Sequence, residues 1–88
     1  MLATMTIPVS VIEDLAAEVM RARTKFPRNR LLTVAALEEL GELAAAQLQQ
    51  RPKAEIRREA IQVMAMMVRI ITETDETLEG LDEEARQK

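Results

Sequence analysis

Residues 59–71 read EAIQVMAMMVRII and form the most continuously apolar stretch of the chain. Its apolar side chains fall on nearly every side of a helix, and a helix that is apolar all round is buried on several sides. The stretch predicts the centre of a helix over residues 52–73, because the proline at its start suits a first helical turn. Three polar residues spaced by three and seven positions follow one stripe of this helix: Glu59, Gln62 and Arg69.

A second helix is predicted over residues 31–50, immediately before the break at Arg51 and Pro52. Asn29 is a suitable cap for its amino end, because an asparagine side chain accepts a hydrogen bond from the amides of the first turn. Gly41 lies in the middle of this helix and costs about 1 kcal/mol relative to alanine. A glycine at such a position usually reflects the close approach of another helix or of a ligand.

The first helix is predicted to begin at Ser10, where the sequence SVIE has the S-x-x-E form of a capping box. Five apolar side chains are expected to form its buried face: Val11, Ile12, Leu15, Val19 and Met20. The helix should end near Lys25, since Pro27 disfavours helix in the residue before it. Residues 1–9 are then an extended arm, and residues 78–86 form a short acidic helix at the other end of the chain.

These elements predict one all-α domain over residues 10–88, an antiparallel helical bundle of three main helices plus a short C-terminal helix. Ala, Leu, Ile, Val and Met supply almost all of the 48% hydrophobic residues, and Phe26 is the one aromatic residue. Such a composition favours packed helices and is poorly suited to β-sheets. So much apolar material in 88 residues without a disulfide suggests that another subunit completes the core. We therefore expect a homodimer or homotetramer, with the third helix at or near the interface.

Residue types that the sequence lacks exclude several catalytic mechanisms and kinds of metal site. The sequence has no cysteine and no histidine, so Ser-His and Cys-His catalysis and thiolate metal sites are excluded within the chain. Any metal must then be a hard ion bound by oxygen. Without a continuous basic stripe or an aromatic platform, nucleic acid is not an expected partner. No apolar run approaches the ~18 residues of a membrane span, and no basic signal segment opens the sequence. We therefore expect a cytoplasmic protein with no membrane partner.

Acidic residues on the two longer helices carry the functional signal. Glu38, Glu39 and Glu42 share one helical sector, and like charges at this spacing destabilise a bare helix by roughly a few tenths of a kcal/mol per pair. Together with Glu59 on the next helix, they can hold a divalent cation that neutralises a triphosphate and polarises an attacking water. Three basic residues before the second helix can add positive charge for phosphates: Lys25, Arg28 and Arg30.

Periodicity taken alone favours a plainer interpretation, a solvated acidic face paired with Arg57 or Arg58, because glutamate is a good helix former. Two features favour the metal site. Glu59 and Gln62 lie in a helix too apolar to have much solvated face, and a buried charge needs a partner. The two acidic segments also occupy neighbouring helices joined by a tight break, so they can face each other.

EELGE at residues 38–42, followed after residues 43–58 by EAIQ at residues 59–62, resembles the motif of the MazG-type all-α nucleotide pyrophosphohydrolases. That motif is EExxE followed, after a variable gap, by ExxD. The resemblance covers about residues 25–73 and includes KFPRN at residues 25–29. It implies a helical dimer or tetramer that uses Mg²⁺, or Mn²⁺, to split nucleoside triphosphates into the monophosphate and pyrophosphate. The implied role is clearing aberrant nucleotides or limiting nucleotide pools.

The same resemblance implies roles for single residues. Three match metal ligands of the motif: Glu39, Glu42 and Glu59. Glu38 matches the remaining acid of the first half, which would support or activate the attacking water. Three residues of the KFPRN segment are implied to bind substrate: Lys25, Arg28 and Asn29.

Gln62 departs from the motif, because it stands where the family has aspartate. Its amide oxygen can serve as a metal ligand but brings no charge, so weaker metal affinity, a changed number of metal ions or a loss of activity is expected. Asp75 cannot easily replace it, since thirteen helical residues at ~1.5 Å each put that carboxylate roughly 20 Å away. The alternative to an enzyme is therefore a catalytically impaired relative that acts as a nucleotide-binding or helical interaction module.

Overall fold

The computed structural model describes residues 6–73, which contain three long α-helices and no strand. The helices are α1 at Val9–Lys25, α2 at Leu32–Leu48 and α3 at Lys53–Glu73. The all-α class and the three main helices are thus confirmed. None of these three helices has both the length and the apolar character needed to cross a membrane. The short acidic helix predicted over residues 78–86 and residues 1–5 of the predicted arm lie outside the described residues.

α3 is the central helix of the fold, because both α1 and α2 pack against it. α2 and α3 run antiparallel, since residues at equal distances from the turn between them come together. Glu42 lies close to Glu59, and Glu39 lies within hydrogen-bonding distance of Gln62. The two acidic segments therefore face each other across this helical hairpin.

α1 lies on another side of α3 and runs parallel to it. Near the starts of the two helices, Asp14 pairs with Arg57 at 2.6 Å. Near their ends, the main-chain oxygen of Ala22 accepts a hydrogen bond from Arg69 at 3.4 Å. Consecutive helices are therefore antiparallel, as the sequence predicts, but α1 and α2 make few contacts with each other.

The first helix begins one residue before the predicted Ser10. Its N-cap is Pro8, whose main-chain oxygen accepts hydrogen bonds from the amides of Val11 at 3.0 Å and Ile12 at 3.3 Å. No side chain caps this helix, so the predicted capping box is wrong, and Ser10 lies inside the first turn. The physical reason is the proline, whose ring holds φ at −56° while ψ is 141°, so the helix can start directly after it. The predicted end at Lys25 is confirmed.

The amino end of α2 also differs from the prediction, because Asn29 does not cap it. The N-cap position belongs to Leu31, which has the left-handed conformation with φ of 57° and accepts a hydrogen bond from the amide of Ala35 at 3.0 Å. Asn29 instead donates through Nδ2 to the main-chain oxygen of Glu73 at 3.1 Å. The connector between α1 and α2 is thus tied to the far end of α3, which the local sequence does not reveal.

The carboxyl end of α2 lies at Leu48, two residues before the predicted end. Gln50 takes the left-handed conformation with φ of 53°. The amide of Gln50 donates to the oxygen of Gln47 at 3.1 Å, and the amide of Arg51 donates to the oxygen of Ala46 at 2.9 Å. These are the two hydrogen bonds of a Schellman motif, which ends the helix before the proline and turns the chain back into α3.

The core of the described part of the chain is small. Six buried apolar side chains form it: Val19, Ala22, Leu32, Ala36, Ala46 and Ala65. On α1, Val11 and Leu15 are half-buried, but Ile12 and Met20, which were predicted to be buried, are 47% and 63% exposed. On α3, Ile71 is 81% exposed. The helix predicted to be buried on several sides is therefore covered by α1 and α2 over only part of its surface.

Candidate metal centre

Three carboxylates from α2 and α3 converge in the middle of the helical hairpin. Carboxylate oxygens of Glu39, Glu42 and Glu59 all lie within 4.8 Å of one another, and we call these residues the acid cluster. Glu39 and Glu42 are one helical turn apart on α2, and the antiparallel packing brings Glu59 to them from α3. Oxygens that share one Mg²⁺ at about 2.0–2.1 Å lie within about 4.2 Å of each other. Three oxygens around one octahedral ion include at least two adjacent pairs about 2.9 Å apart, so these side chains would close further around a bound ion.

The acid cluster has little compensating charge from residues 6–73, in which Arg21 interacts with Glu39 through its charge but is hydrogen-bonded to Glu18. None of the ion pairs formed among residues 6–73 includes a member of the cluster. Arg57, one of two arginines considered as partners for an acidic face, pairs instead with Asp14 on α1. Burial, followed by the charges of Glu42 and Glu59, raises the pKa of Glu39. The cluster therefore gathers negative charge that a cation would offset.

Gln62 lies between the carboxylates of the two helices. In the amide orientation that suits its neighbours, its nitrogen donates to Glu59 Oε2 at 3.1 Å and to Glu39 Oε2 at 3.0 Å. Gln62 thus bridges two acids that would otherwise repel each other. A 180° flip of the Gln62 amide exchanges its nitrogen and oxygen, so that the oxygen faces Glu39 and Glu59. Oxygen is the ligand atom that a hard cation requires.

A cleft of about 830 Å³ opens beside the acid cluster. Glu39 belongs to both features, because it lines the cleft and is also a member of the cluster. Glu38 is exposed on the cleft wall but is not one of the three clustered acids. The metal-binding and water-activating residues implied by the sequence motif therefore lie along one continuous surface.

Basic residues at the end of α1 and in the connector to α2, residues 26–31, also line this cleft. Lys25, Arg28 and Arg30 all line it. The Nζ atom of Lys25 lies 5.5 Å from the ring centroid of Phe26, another lining residue, within the range of a cation–π contact. Asn29, the third residue implied to bind substrate, uses its amide nitrogen to hold the end of α3.

Sequence reasoning missed one acid near the cluster. Glu18 on α1 is bound by Arg21, whose Nε atom donates to Glu18 Oε1 at 2.9 Å. After burial and the charges of Glu42 and Glu59, the charge of Glu18 is a further cause of the raised pKa of Glu39. No motif marks Glu18, because only the packing of α1 against α3 brings it near α2.

Sequence reasoning also missed the role of Arg69, although it placed this residue on the polar stripe of α3. Arg69 is 1% exposed and binds both carboxylate oxygens of Glu73, through Nε at 3.0 Å and Nη2 at 2.9 Å. Arg23 on α1 donates to the same carboxylate at 2.6 Å. Hydrogen bonds from Arg69, and then from Arg23, lower the pKa of Glu73. An arginine four residues before a glutamate in an apolar helix was the available signal.

Comparison with known proteins identifies no relative of this chain. No protein-family model matches the chain, and neither a curated protein nor a solved structure matches it. The function is therefore inferred from the acid cluster and the cleft themselves.

Proposed function

We propose that this protein is a Mg²⁺-dependent, MazG-like pyrophosphohydrolase that splits nucleoside triphosphates into the monophosphate and pyrophosphate. The observation that carries the proposal is the continuity of the acid cluster and the cation-lined cleft through Glu39. A triphosphate bound with its metal needs such neighbours, namely oxygen ligands for the ion and cations for the remaining phosphate oxygens. We assign this activity a role in removing aberrant nucleotides or in controlling the cytoplasmic nucleotide pool.

The donor atoms fit a hard divalent cation. Glu39, Glu42 and Glu59 offer carboxylate oxygens, Gln62 offers an amide oxygen, and waters and phosphate oxygens complete an octahedron. The raised pKa of Glu39, caused first by burial and then by its acidic neighbours, agrees with a site that has an excess of negative charge. Mg²⁺ or Mn²⁺ bound there would supply that charge to the phosphate oxygens and would make a bound water more acidic.

Residues of the chain divide the remaining tasks. Glu38, exposed on the cleft wall, accepts the proton of the attacking water as its oxygen bonds to phosphorus. Lys25 and Arg28 bind phosphate oxygens and stabilise the negative charge that leaves with pyrophosphate. The water oxygen ends in one product and the former bridging oxygen in the other, which balances the hydrolysis.

We further propose that the chain works as a homodimer or homotetramer, with α3 at or near the interface. Large apolar side chains that are exposed among the described residues support this, and three of them lie on α3: Met64, Met67 and Ile71. A Cβ atom built on Gly41 meets nothing within 4 Å, so the close approach expected from this glycine is not made by residues 6–73. Sedimentation that shows a stable monomer at micromolar concentration would contradict the assembly.

One observation favours a second candidate, a nucleotide-binding module without turnover. Gln62 already bridges Glu39 and Glu59 through its amide nitrogen and adds no negative charge for a metal. A site of this kind holds a metal–nucleotide complex more weakly than one with four carboxylates, and it activates water less well.

The deciding experiment is pyrophosphate release from a panel of canonical and modified nucleoside triphosphates with Mg²⁺ or Mn²⁺. The wild type should release pyrophosphate, Glu42→Ala should abolish release, and Gln62→Asp should increase it by restoring a charged ligand. Glu13→Ala is the matched control, because Glu13 is exposed on α1 and is not a member of the acid cluster. Release that is equal in the wild type and in Glu42→Ala would refute the site. Binding of nucleotide without release, in the wild type and in Gln62→Asp, would favour the second candidate.

A further inference from the structure

One buried charge has no part in the proposed reaction. Arg69 is the only charged side chain that is buried among residues 6–73, yet it also lines the cleft. A buried charge is unfavourable unless it is paired and hydrogen-bonded, and Glu73 provides the pairing. The bidentate contact with Glu73 uses the N–H of Nε and one of the two N–H groups of Nη2. The remaining N–H groups of the guanidinium can therefore donate to other partners.

Those donors reach the connector between α1 and α2 from both sides. Nη1 of Arg69 lies 3.4 Å from the main-chain oxygen of Ala22, in the last turn of α1. Nη2 lies 3.5 Å from the main-chain oxygen of Arg28, in the middle of the connector. One guanidinium therefore spans the segment that carries Lys25 and Arg28.

Glu73 forms the second anchor of the same segment. Its carboxylate accepts a hydrogen bond from Arg23 on α1, and its main-chain oxygen accepts one from Asn29 in the connector. The connector has no helical hydrogen bonds of its own beyond the end of α1, where Phe26 N donates to Ala22 O at 2.8 Å. The Arg69–Glu73 pair therefore helps to fix the course of this segment beside the cleft.

We propose that Arg69 is a positioning residue, which holds the connector so that Lys25 and Arg28 meet the phosphates of a nucleotide bound at the acid cluster. This inference rests on the proposed function. Arg69 acts through the connector, because four of its five N–H donors are directed to Glu73 and to two main-chain oxygens. Arginine is needed because its planar fork makes several hydrogen bonds in fixed directions, which the single ammonium of lysine cannot reproduce.

Two variants separate positioning from folding. Arg69→Lys keeps the charge but loses the fork. The double variant Arg69→Met with Glu73→Met removes both charges, and replacing a buried ion pair by apolar residues usually preserves stability. The matched control is Arg51→Met, which breaks another Arg–Glu pair four residues apart, with Glu55 at the exposed start of α3.

We expect KM for the nucleoside triphosphate to rise about tenfold in the double variant and by less in Arg69→Lys, while kcat stays within about threefold. The thermal shift caused by Mg²⁺ should be unchanged in both, because the acid cluster is intact. Arg51→Met should leave KM as in the wild type. An unchanged KM in the double variant, or parallel losses of kcat and of the Mg²⁺ response, would overturn the proposal.

A wild type that releases no pyrophosphate would refute the proposed function, and positioning is then tested by binding alone. Calorimetry with inorganic triphosphate and Mg²⁺ is the measurement. Binding that is about tenfold weaker in the double variant than in Arg51→Met would support positioning. Equal binding in the two variants, or no binding by the wild type, would overturn it.

Discussion

The two halves of α3 place glutamates in opposite electrostatic environments, one acidic and one basic. In the first half, Glu59 joins two acids of α2, and burial, followed by the charges of Glu42 and Glu59, raises the pKa of Glu39. At the end of the helix, hydrogen bonds from Arg69 and then Arg23 lower the pKa of Glu73. Glu39, Glu59 and Glu73 are all half-buried, and burial raises the pKa of both Glu39 and Glu73, so the opposite directions of the two shifts come from the neighbouring groups.

The difference lies in where the compensating charge comes from. At Glu73 the chain supplies two guanidinium groups from two helices, and the result is a completed structural ion pair. At the acid cluster the described chain supplies the amide of Gln62 but no ion pair, because Arg21, whose charge acts on Glu39, is hydrogen-bonded to Glu18. Acids that are gathered without an internal partner are the arrangement expected of a site that binds a cation from outside. Four predictions test this contrast, beginning with the largest expected effect.

Removing the partner of Arg69 should destabilise the fold most. Glu73→Gln leaves a guanidinium that is 1% exposed without its carboxylate, and breaking a buried pair in this way costs about 3 kcal/mol. The melting temperature should then fall by roughly 15 °C. Glu55→Gln is the matched control, since it breaks the exposed pair with Arg51 and should cost less than about 0.5 kcal/mol. Equal losses in thermal or urea unfolding would show that Glu73 is no more structural than a surface acid.

The acid cluster should respond to a divalent cation. A site with a Kd of about 1 mM gains about 1.4 kcal/mol of stability from 10 mM Mg²⁺, because the ion binds only the folded chain. Glu42→Ala should lose this gain, whereas Glu13→Ala should retain it. Thermal unfolding with and without MgCl₂, at matched ionic strength, measures the effect. A gain that persists in Glu42→Ala would mean that the ion binds elsewhere.

Gly41 tests whether something outside the described chain approaches α2 on the side turned away from the acid cluster. In the chain alone, Gly41→Ala should stabilise the fold by about 0.5–1 kcal/mol, because alanine favours helix and its Cβ meets nothing within 4 Å. Urea unfolding measures this gain. Sedimentation and nucleotide binding by the same variant show whether the space is used. A destabilised variant would contradict the open surroundings of this glycine.

The smallest expected effect concerns pH, and its sign differs between the two regions. Because the pKa of Glu39 is raised, the folded chain binds more protons than the unfolded chain just above the ordinary value of 4.5, so stability falls as pH rises there. Because the pKa of Glu73 is lowered, its contribution is present above 4.5 and is lost as pH falls through the lowered value.

Metal-free urea unfolding of Glu39→Gln between pH 4 and pH 7.5 provides the measurement. At neutral pH this variant should be more stable than the wild type by roughly a few tenths of a kcal/mol for each like-charge contact removed. The advantage should shrink as pH falls through the raised pKa of Glu39. Glu73→Gln should instead be less stable than the wild type at neutral pH. A variant at position 39 that is destabilised at every pH would show that its carboxylate has a structural partner.

Local sequence was sufficient for the helices and for the facing of the acids. The apolar period along residues 59–71 and the break at Pro52 predicted α3 to within one residue. The spacing of Glu39 and Glu42 places them one turn apart in any helix. A tight helical hairpin then brings residues equally distant from its turn together, which is why Glu59 could be placed opposite them.

Local sequence was misleading at the helix ends. Ser10 and Asn29 are both good capping residues, yet neither caps a helix in the structure. At the first site, the adjacent Pro8 starts the helix earlier. At the second site, a hydrogen bond to Glu73, 44 residues away in sequence, takes the side chain elsewhere. A cap depends on one weak hydrogen bond, so a neighbouring proline or a distant acceptor is enough to change it.

The sequence by itself therefore determined the class of fold, the antiparallel hairpin of α2 and α3, and the absence of histidine and thiolate side chains as metal ligands. Only the tertiary structure decided that Arg69 is buried, that Arg57 pairs with Asp14, and that much of the apolar surface of α3 stays exposed. The physical reason is the separation in sequence over which the interactions act. Helical periodicity and like-charge spacing act over three or four residues, whereas the partner and the burial of a side chain are set by contacts between residues more than forty positions apart.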